Sequence, residues 1–207
     1  MTESPEASPE AGPAEPSESR AHVDAADLAA IARQLGREPR GVVAVAHRCA
    51  CGDPDVVATA PRLPDGTPFP TTFYATCPRL TGATSTLESS GLMRQMSERL
   101  AGDPELAAAY RGAHEDYLRR RAALGEVPEI AGISAGGMPD RVKCLHVLAA
   151  HALAAGPGVN PLGDETLAAL PAWGEDGPCM VASDGETPRT DRRESAGAAT
   201  DAAQGGR

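Results

Sequence analysis

Aromatic side chains are scarce in this sequence, and positive charge is outnumbered by negative charge. Aromatics make up 3% of the 207 residues, and all six lie between Phe69 and Trp173. A folded core must therefore consist mostly of leucine, valine and alanine. The formal net charge of −10 argues against electrostatic binding to nucleic acid or an anionic membrane, because such binders are basic. We therefore expect no nucleic-acid partner.

Long apolar runs are also missing. No segment approaches the roughly 20 apolar residues of a membrane-spanning helix. The N-terminus has no basic region followed by an apolar one, so it predicts no signal peptide. We expect a cytoplasmic protein without a membrane span. In that reducing compartment, the five cysteines are more typical of thiols or metal ligands than of disulfides.

Both ends of the chain lack the residues that form a core. Residues 1–20 contain no branched aliphatic or aromatic residue, and residues 184–207 have a similar composition. Such segments bury too little apolar surface to offset the entropy lost on ordering. We predict disordered tails at 1–22 and 184–207 around a single domain at 23–183. A domain of that length can bury a sizeable core.

The apolar patterns predict an α+β fold. Three strands are expected at 41–49, 55–60 and 69–77, where β-branched or aromatic residues cluster. Helices are expected at 24–35, in two pieces after Pro78, from Asp103 to about Gly125, and after Asp164. Strands followed by several helices favour a small, largely antiparallel sheet of about three strands packed against those helices.

The densest group of reactive side chains lies in residues 134–163. Pro139 and Asp140 favour the start of a helix that would end near Ala155, before Gly156. Inside this predicted helix are four candidate functional residues: Lys143, Cys144, His146 and His151.

A metal site is one interpretation of the cysteines. If the first and third strands are neighbours, Cys49 and Cys77 could meet, and the predicted helix could add Cys144 and His146. Such a ligand set suits Zn²⁺ or an iron–sulfur cluster. The Cys-x-Cys spacing at 49 and 51 is not that of a zinc knuckle, and Cys144 and His146 would share a metal only if the helix began late. The alternative is that these cysteines are small buried hydrophobes.

Two metal-free sites are also compatible with these residues. Cys144 near a helix N-terminus beside Lys143 could be a nucleophilic thiolate, and Lys143, His146 and His151 are candidate catalytic groups. Gly136 and Gly137 precede the predicted helix in a turn that suits anion binding. Arg79 and Arg141 could add positive charge. The alternatives are a buried thiol beside a solvated lysine, and an ordinary flexible turn.

Three motifs carry a resemblance to a known family. They are HRCACGDPDVVATAPRLPDGTPFPTTFYATCPRL, LESSGLMRQM and SAGGMPDRVKCLHVLAAHALAAGPGVNPLG. From about Val42 to Gly163 the chain resembles the bacterial domain of unknown function 501. The resemblance implies no activity. It singles out six positions: Cys49, Cys77, Lys143, Cys144, His146 and His151.

The same resemblance makes Cys51 a variable addition. In actinobacteria, genes of this family often neighbour those of a septum-formation initiator and an exopolyphosphatase-like protein. The leading hypothesis from the sequence is a Cys/His site for zinc or an iron–sulfur cluster, next to a pocket for a small anionic ligand. The alternatives are a metal-free enzyme for a phosphate- or carboxylate-bearing small molecule, and a non-catalytic adaptor that binds a protein partner in division or envelope growth.

Overall fold

The computed structural model describes residues 23–175 and 177–180. The tails predicted at 1–22 and 184–207 lie outside these residues, as does the end of the predicted domain at 181–183. Within the described part of the chain, a small sheet packs against several helices, which confirms the predicted α+β class.

Three antiparallel strands form the sheet in the order β1-β2-β3. Their bounds are Val42–Arg48, Pro54–Thr59 and Phe73–Ala75. Every residue of the central strand β2 is buried. The ladder between β1 and β2 has register shifts on both sides of His47, so the regular alternation of side chains between the two faces of the sheet is interrupted near the end of β1.

Six α-helices lie in the described residues. Their bounds are α1 Ala25–Leu35, α2 Pro78–Glu88, α3 Leu92–Gly102, α4 Pro104–Ala122, α5 Leu145–Ala155 and α6 Pro161–Ala169. Asp24 and Asp103 accept hydrogen bonds from N–H groups of the first turns of α1 and α4, as N-caps do. Asn160, rather than the predicted Asp164, caps α6. No helix among these combines the length and the apolar character that crossing a bilayer requires.

Helix α5 begins later than its sequence pattern predicts. Pro139 and Asp140 lie in a loop, and α5 starts at Leu145 with Cys144 as its N-cap residue. The loop closes on itself because Gly136 and Gly137 have positive φ angles of 71° and 95°, and the Gly136 carbonyl accepts a hydrogen bond from the Lys143 N–H at 2.7 Å. This closure holds the chain extended up to Cys144, so the predicted cap is not used.

A buried polar network lies at the centre of the core, where α5 meets α4 and α6. His151 has no exposed surface, and its Nδ1 accepts a hydrogen bond from Asn160 at 3.2 Å. Its Nε2–H therefore donates to Asp116 Oδ2, at 3.0 Å. The imidazole stacks on Phe73 and meets Tyr117 edge-on. These contacts occupy both ring nitrogens, and the ring has no exposed surface.

This network makes stability sensitive to acid. Burial lowers the pKa of His151 below its usual 6.5, so the native imidazole stays neutral. Burial opposes ionisation of Asp116, but hydrogen bonds with His151, Arg120 and Arg119 lower its pKa overall. Both groups bind fewer protons in the folded state than in the unfolded state. We therefore expect the free energy of unfolding to fall as the pH drops from about 6.5 towards 4, measured by urea denaturation. A His151→Leu variant should show a shallower fall between pH 6.5 and 5, and an equal slope would contradict this account.

Candidate metal centre

Potential metal ligands of the described residues gather in two groups, each with its ligand atoms within 4.8 Å of one another. The Glu88 group consists of Glu88, Cys144 and His146, and the thiol cluster consists of Cys49, Cys77 and Cys179. Helix α2 supplies one residue to each, because Cys77 is its N-cap and Glu88 its last residue. Those two positions are about 16 Å apart along the helix axis.

The single site predicted from the sequence is therefore divided in the structure. Cys49 and Cys77 meet, although the assumed pairing of the first and third strands is wrong, because β2 lies between β1 and β3. Cys144 and His146 also meet, but they do so beside Glu88 rather than beside the other two cysteines.

The late start of α5 brings together the side chains of the Glu88 group. Cys144 is extended, with φ −155° and ψ 115°, so its thiol and the His146 ring no longer point in the opposite directions that a continuous helix would impose. The Cys144 Sγ lies 3.8 Å from His146 Nδ1, and Nδ1 lies 3.1 Å from Glu88 Oε1. Glu88 is held in place because it also accepts the Leu145 N–H at 2.7 Å.

The other ring nitrogen of His146 is oriented by the protein. Nε2 lies 3.1 Å from the Thr81 carbonyl, which can only accept a hydrogen bond. The Nε2 atom is therefore protonated, and Nδ1 faces Cys144 and Glu88. The hydrogen bond with Cys144 raises the pKa of His146 to about 9, against the opposing effect of burial and with further help from Glu88. Burial would raise the pKa of Glu88, but His146 and the Leu145 N–H lower it overall.

A cavity of about 520 Å³ is lined by two of the three residues of the Glu88 group, and Glu88 itself does not line it. Cys144 and His146 form part of its wall, and the side chains of His146 and Glu88 are about one-quarter exposed, at 26% and 24%. Gln34 also lines the cavity, and its Oε1 is buried without a hydrogen-bond partner among the described residues. The remaining wall is partly polar and includes Thr71, Thr76 and Thr81.

The thiol cluster lies at one end of the sheet. Cys49 follows β1 and begins a turn in which its carbonyl accepts the Gly52 N–H at 2.8 Å. Cys77 is fully buried, and the Cys49 and Cys179 sulfurs are 3.4 Å apart. Burial raises the pKa of both Cys49 and Cys179. All five cysteines are free thiols.

The residues predicted to bind an anion lie in separate places. Arg79 is exposed and donates to the Pro178 carbonyl at 3.2 Å, beside the thiol cluster. Lys143 and Arg141 are exposed in the loop before α5. The Gly136 carbonyl accepts a hydrogen bond from the Lys143 N–H, and the Gly137 carbonyl accepts one from the Arg141 N–H. These two glycines thus close the loop, and an added Cβ on Gly137 would lie 2.6 Å from the Arg141 carbonyl.

Sequence reasoning missed Glu88 and Cys179. Glu88 had a detectable signal, because a carboxylate at the C-terminal end of a helix is electrostatically unfavourable and suggests another role. Cys179 had no such signal, since the segment before it, from Pro171 to Pro178, has no helical or strand pattern.

Comparison with known proteins identifies the family but no activity. Residues 45–168 match the family described as Protein of unknown function (DUF501). The chain belongs to this family. Searches of curated proteins and of solved structures gave no match. The DUF501 match includes all three residues of the Glu88 group, whereas Cys179 lies beyond it. The Glu88 group is therefore the stronger candidate for a function that belongs to the family domain itself.

Proposed function

We propose that this protein is a zinc-dependent hydrolase whose metal is held by Glu88, Cys144 and His146. The observation that carries the proposal is the convergence of three ligand atoms of different types beside a cavity. Three protein ligands leave the fourth position of a tetrahedral Zn²⁺ ion free for water or substrate, which is the arrangement of catalytic zinc sites.

The distances support a single ion. Zinc lies about 2.0–2.3 Å from nitrogen, oxygen and sulfur ligands, so tetrahedral ligands are about 3.3–3.8 Å apart. The Nδ1–Oε1 and Sγ–Nδ1 distances in the Glu88 group are 3.1 Å and 3.8 Å. Small side-chain adjustments would therefore bring all three ligand atoms to zinc-binding distance.

The orientation of His146 also supports a metal. Histidines that bind zinc usually donate their second N–H to a carboxylate or carbonyl, which fixes the ring and its tautomer. The Thr81 carbonyl is placed to do this for Nε2. Zinc would displace the proton from Nδ1, so metal binding should weaken as the pH falls.

The cavity sets the type of substrate. Its volume of about 520 Å³ is within the usual range for small-molecule sites. The partly exposed Thr71 and Thr81 offer hydroxyl groups that can form hydrogen bonds with a small polar substrate. A zinc ion held by Glu88, Cys144 and His146 would supply an activated water for hydrolysis of a carbonyl or phosphoryl substrate.

An accessible coordination position can be tested without knowing the substrate. Protein reconstituted with Co²⁺ should show visible d–d bands, and adding azide should shift those bands because azide can occupy the open position. The experiment is best done on a Cys179→Ser variant, in which only the Glu88 group retains its full ligand set. His114→Ala, combined with Cys179→Ser, is the matched control, since His114 bonds to Ser134 away from both groups.

Bands that azide leaves unchanged would contradict an open site. Protein that folds but binds no Co²⁺ would also contradict the zinc proposal. It would favour a metal-free enzyme, in which the His146 imidazole faces the cavity as an acid–base group.

A further inference from the structure

The thiol cluster joins three separate parts of the chain, and the proposed hydrolytic site uses none of its residues. Cys49 lies after β1, Cys77 begins α2, and Cys179 lies in the segment after α6. We propose that the cluster, with Cys51 as its fourth ligand, is a second zinc site that fastens the segment around Cys179 to the sheet. Unlike the Glu88 group, this site is coordinatively closed.

The sulfur positions fit one ion. Four sulfurs at about 2.3 Å from zinc in a tetrahedron are about 3.8 Å apart. The sulfurs of Cys49, Cys77 and Cys179 all lie within 4.8 Å of one another, and those of Cys49 and Cys179 are 3.4 Å apart. In an iron–sulfur cluster the thiolates bind different iron atoms and must spread further apart. The compact arrangement therefore favours a mononuclear site.

Cys51 borders the cluster, because a Cβ placed on Gly174 would lie 3.3 Å from the Cys51 backbone nitrogen and 2.1 Å from the Cys49 sulfur. Its sulfur is not among the three that lie within 4.8 Å of one another, so its side chain would have to turn inward to bind the ion. The turn that follows β1 brings it back, because the Cys49 N–H donates to the Asp53 carbonyl at 2.9 Å. The resemblance to the family implied that Cys51 is a variable addition, but in this chain its backbone lies beside Gly174 at the edge of the cluster.

The backbone comes unusually close to the cluster at Gly174. This glycine has a positive φ of 77°, and a Cβ placed on it would lie 2.1 Å from the Cys49 sulfur and 3.5 Å from that of Cys179. Only a residue without a side chain fits there. The segment thus packs against the sulfurs themselves rather than merely passing nearby.

Two further contacts tie the same segment to the domain. The Trp173 indole N–H donates to the fully buried Asp55 at 3.2 Å, and Arg79 donates to the Pro178 carbonyl at 3.2 Å. Arg79 also brings positive charge close to the cluster, which favours the net negative charge of a zinc ion with four thiolates. Cys49 and Cys77 are buried, whereas Cys51 and Cys179 are partly exposed.

Zinc content measured on single variants separates this site from the Glu88 group. Protein purified anaerobically with reductant and without chelator should contain about two zinc ions per chain by elemental analysis. Cys179→Ser and Cys144→Ser should each remove about one of them. The Cys144→Ser protein loaded with Co²⁺ should keep strong thiolate-to-cobalt charge-transfer bands that azide does not change.

Gly174→Ala provides a second variant that leaves every ligand in place. It should weaken zinc binding in the Cys144→Ser background, because the added methyl group must displace the Cys49 sulfur. The proposal is overturned if Cys179→Ser binds as much zinc as the parent protein. It is also overturned if the cluster contains iron and inorganic sulfide, or if a Cys49–Cys179 disulfide forms in place of metal binding. If Cys179→Ser loses about one zinc ion but Cys144→Ser loses none, this proposal is supported and only the hydrolytic site is contradicted.

Discussion

Replacing His146 by alanine is expected to lower the zinc affinity of the Glu88 group by about 100-fold or more. Loss of a partner outside the first shell of a zinc site already costs about 10–100-fold, and His146 would be a direct ligand. A competition titration against a chromophoric zinc chelator, in the Cys179→Ser background, measures the change. Hydrolysis of 4-nitrophenyl acetate by the zinc-loaded protein, if present in the parent, should be lost in parallel.

The matched control for this prediction is His114→Ala. His114 Nδ1 lies 2.9 Å from the Ser134 hydroxyl, and neither residue belongs to a ligand group. Its removal should leave the zinc affinity within about twofold of the parent value. Equal losses in the two variants would show that histidine removal acts through folding, and an unchanged affinity in His146→Ala would remove His146 from the metal site.

Replacing His151 by leucine is expected to have the opposite profile, with a large loss of stability and full retention of zinc. The substitution removes the hydrogen bonds to Asp116 and Asn160, both of which are buried. Asn160 loses its hydrogen-bond acceptor, Asp116 keeps only Arg119 and Arg120, and a buried polar group left without a partner costs about 1–3 kcal/mol. We expect the free energy of unfolding to fall by about 3 kcal/mol, measured by urea denaturation at pH 7.

This second prediction distinguishes the two histidines of α5. His151 was a candidate catalytic residue because it shares a helix with Cys144, but the fold encloses its ring between Phe73 and Tyr117. Zinc content near the parent level in a destabilised His151→Leu protein would agree with a packing role. Selective loss of zinc or hydrolysis, without a change in the urea midpoint, would contradict it.

Much of the fold could be predicted because local signals and tertiary packing agree. The three strands and helices α1 and α4 are found where the sequence pattern and the Asp caps indicate. Helix α5 is the instructive exception. Pro139 and Asp140 form a good local start signal, but the hydrogen bond between Lys143 N–H and the Gly136 carbonyl extends the loop. This contact depends on two glycines with positive φ, which sequence periodicity does not reveal.

The candidate site was harder to predict than the fold, since it depends on which elements meet. The sequence suggested that Cys49 and Cys77 would approach each other, but through a pairing of the first and third strands that the fold does not contain. It also singled out Cys144 and His146 as candidates. It could not assign Glu88 to those two residues, because that requires knowing that the end of α2 lies beside the start of α5. The late start of α5 is also what allows Cys144 and His146 to face a common ion.

Zinc K-edge X-ray absorption on the Cys179→Ser protein tests the central claim most directly. With the thiol cluster disabled, zinc bound by Glu88, Cys144 and His146 should show about one sulfur at roughly 2.3 Å, with the other ligands nitrogen or oxygen at roughly 2.0–2.2 Å. A shell composed only of sulfur, or folded protein that binds no zinc, would contradict the assignment of the Glu88 group as the catalytic metal site.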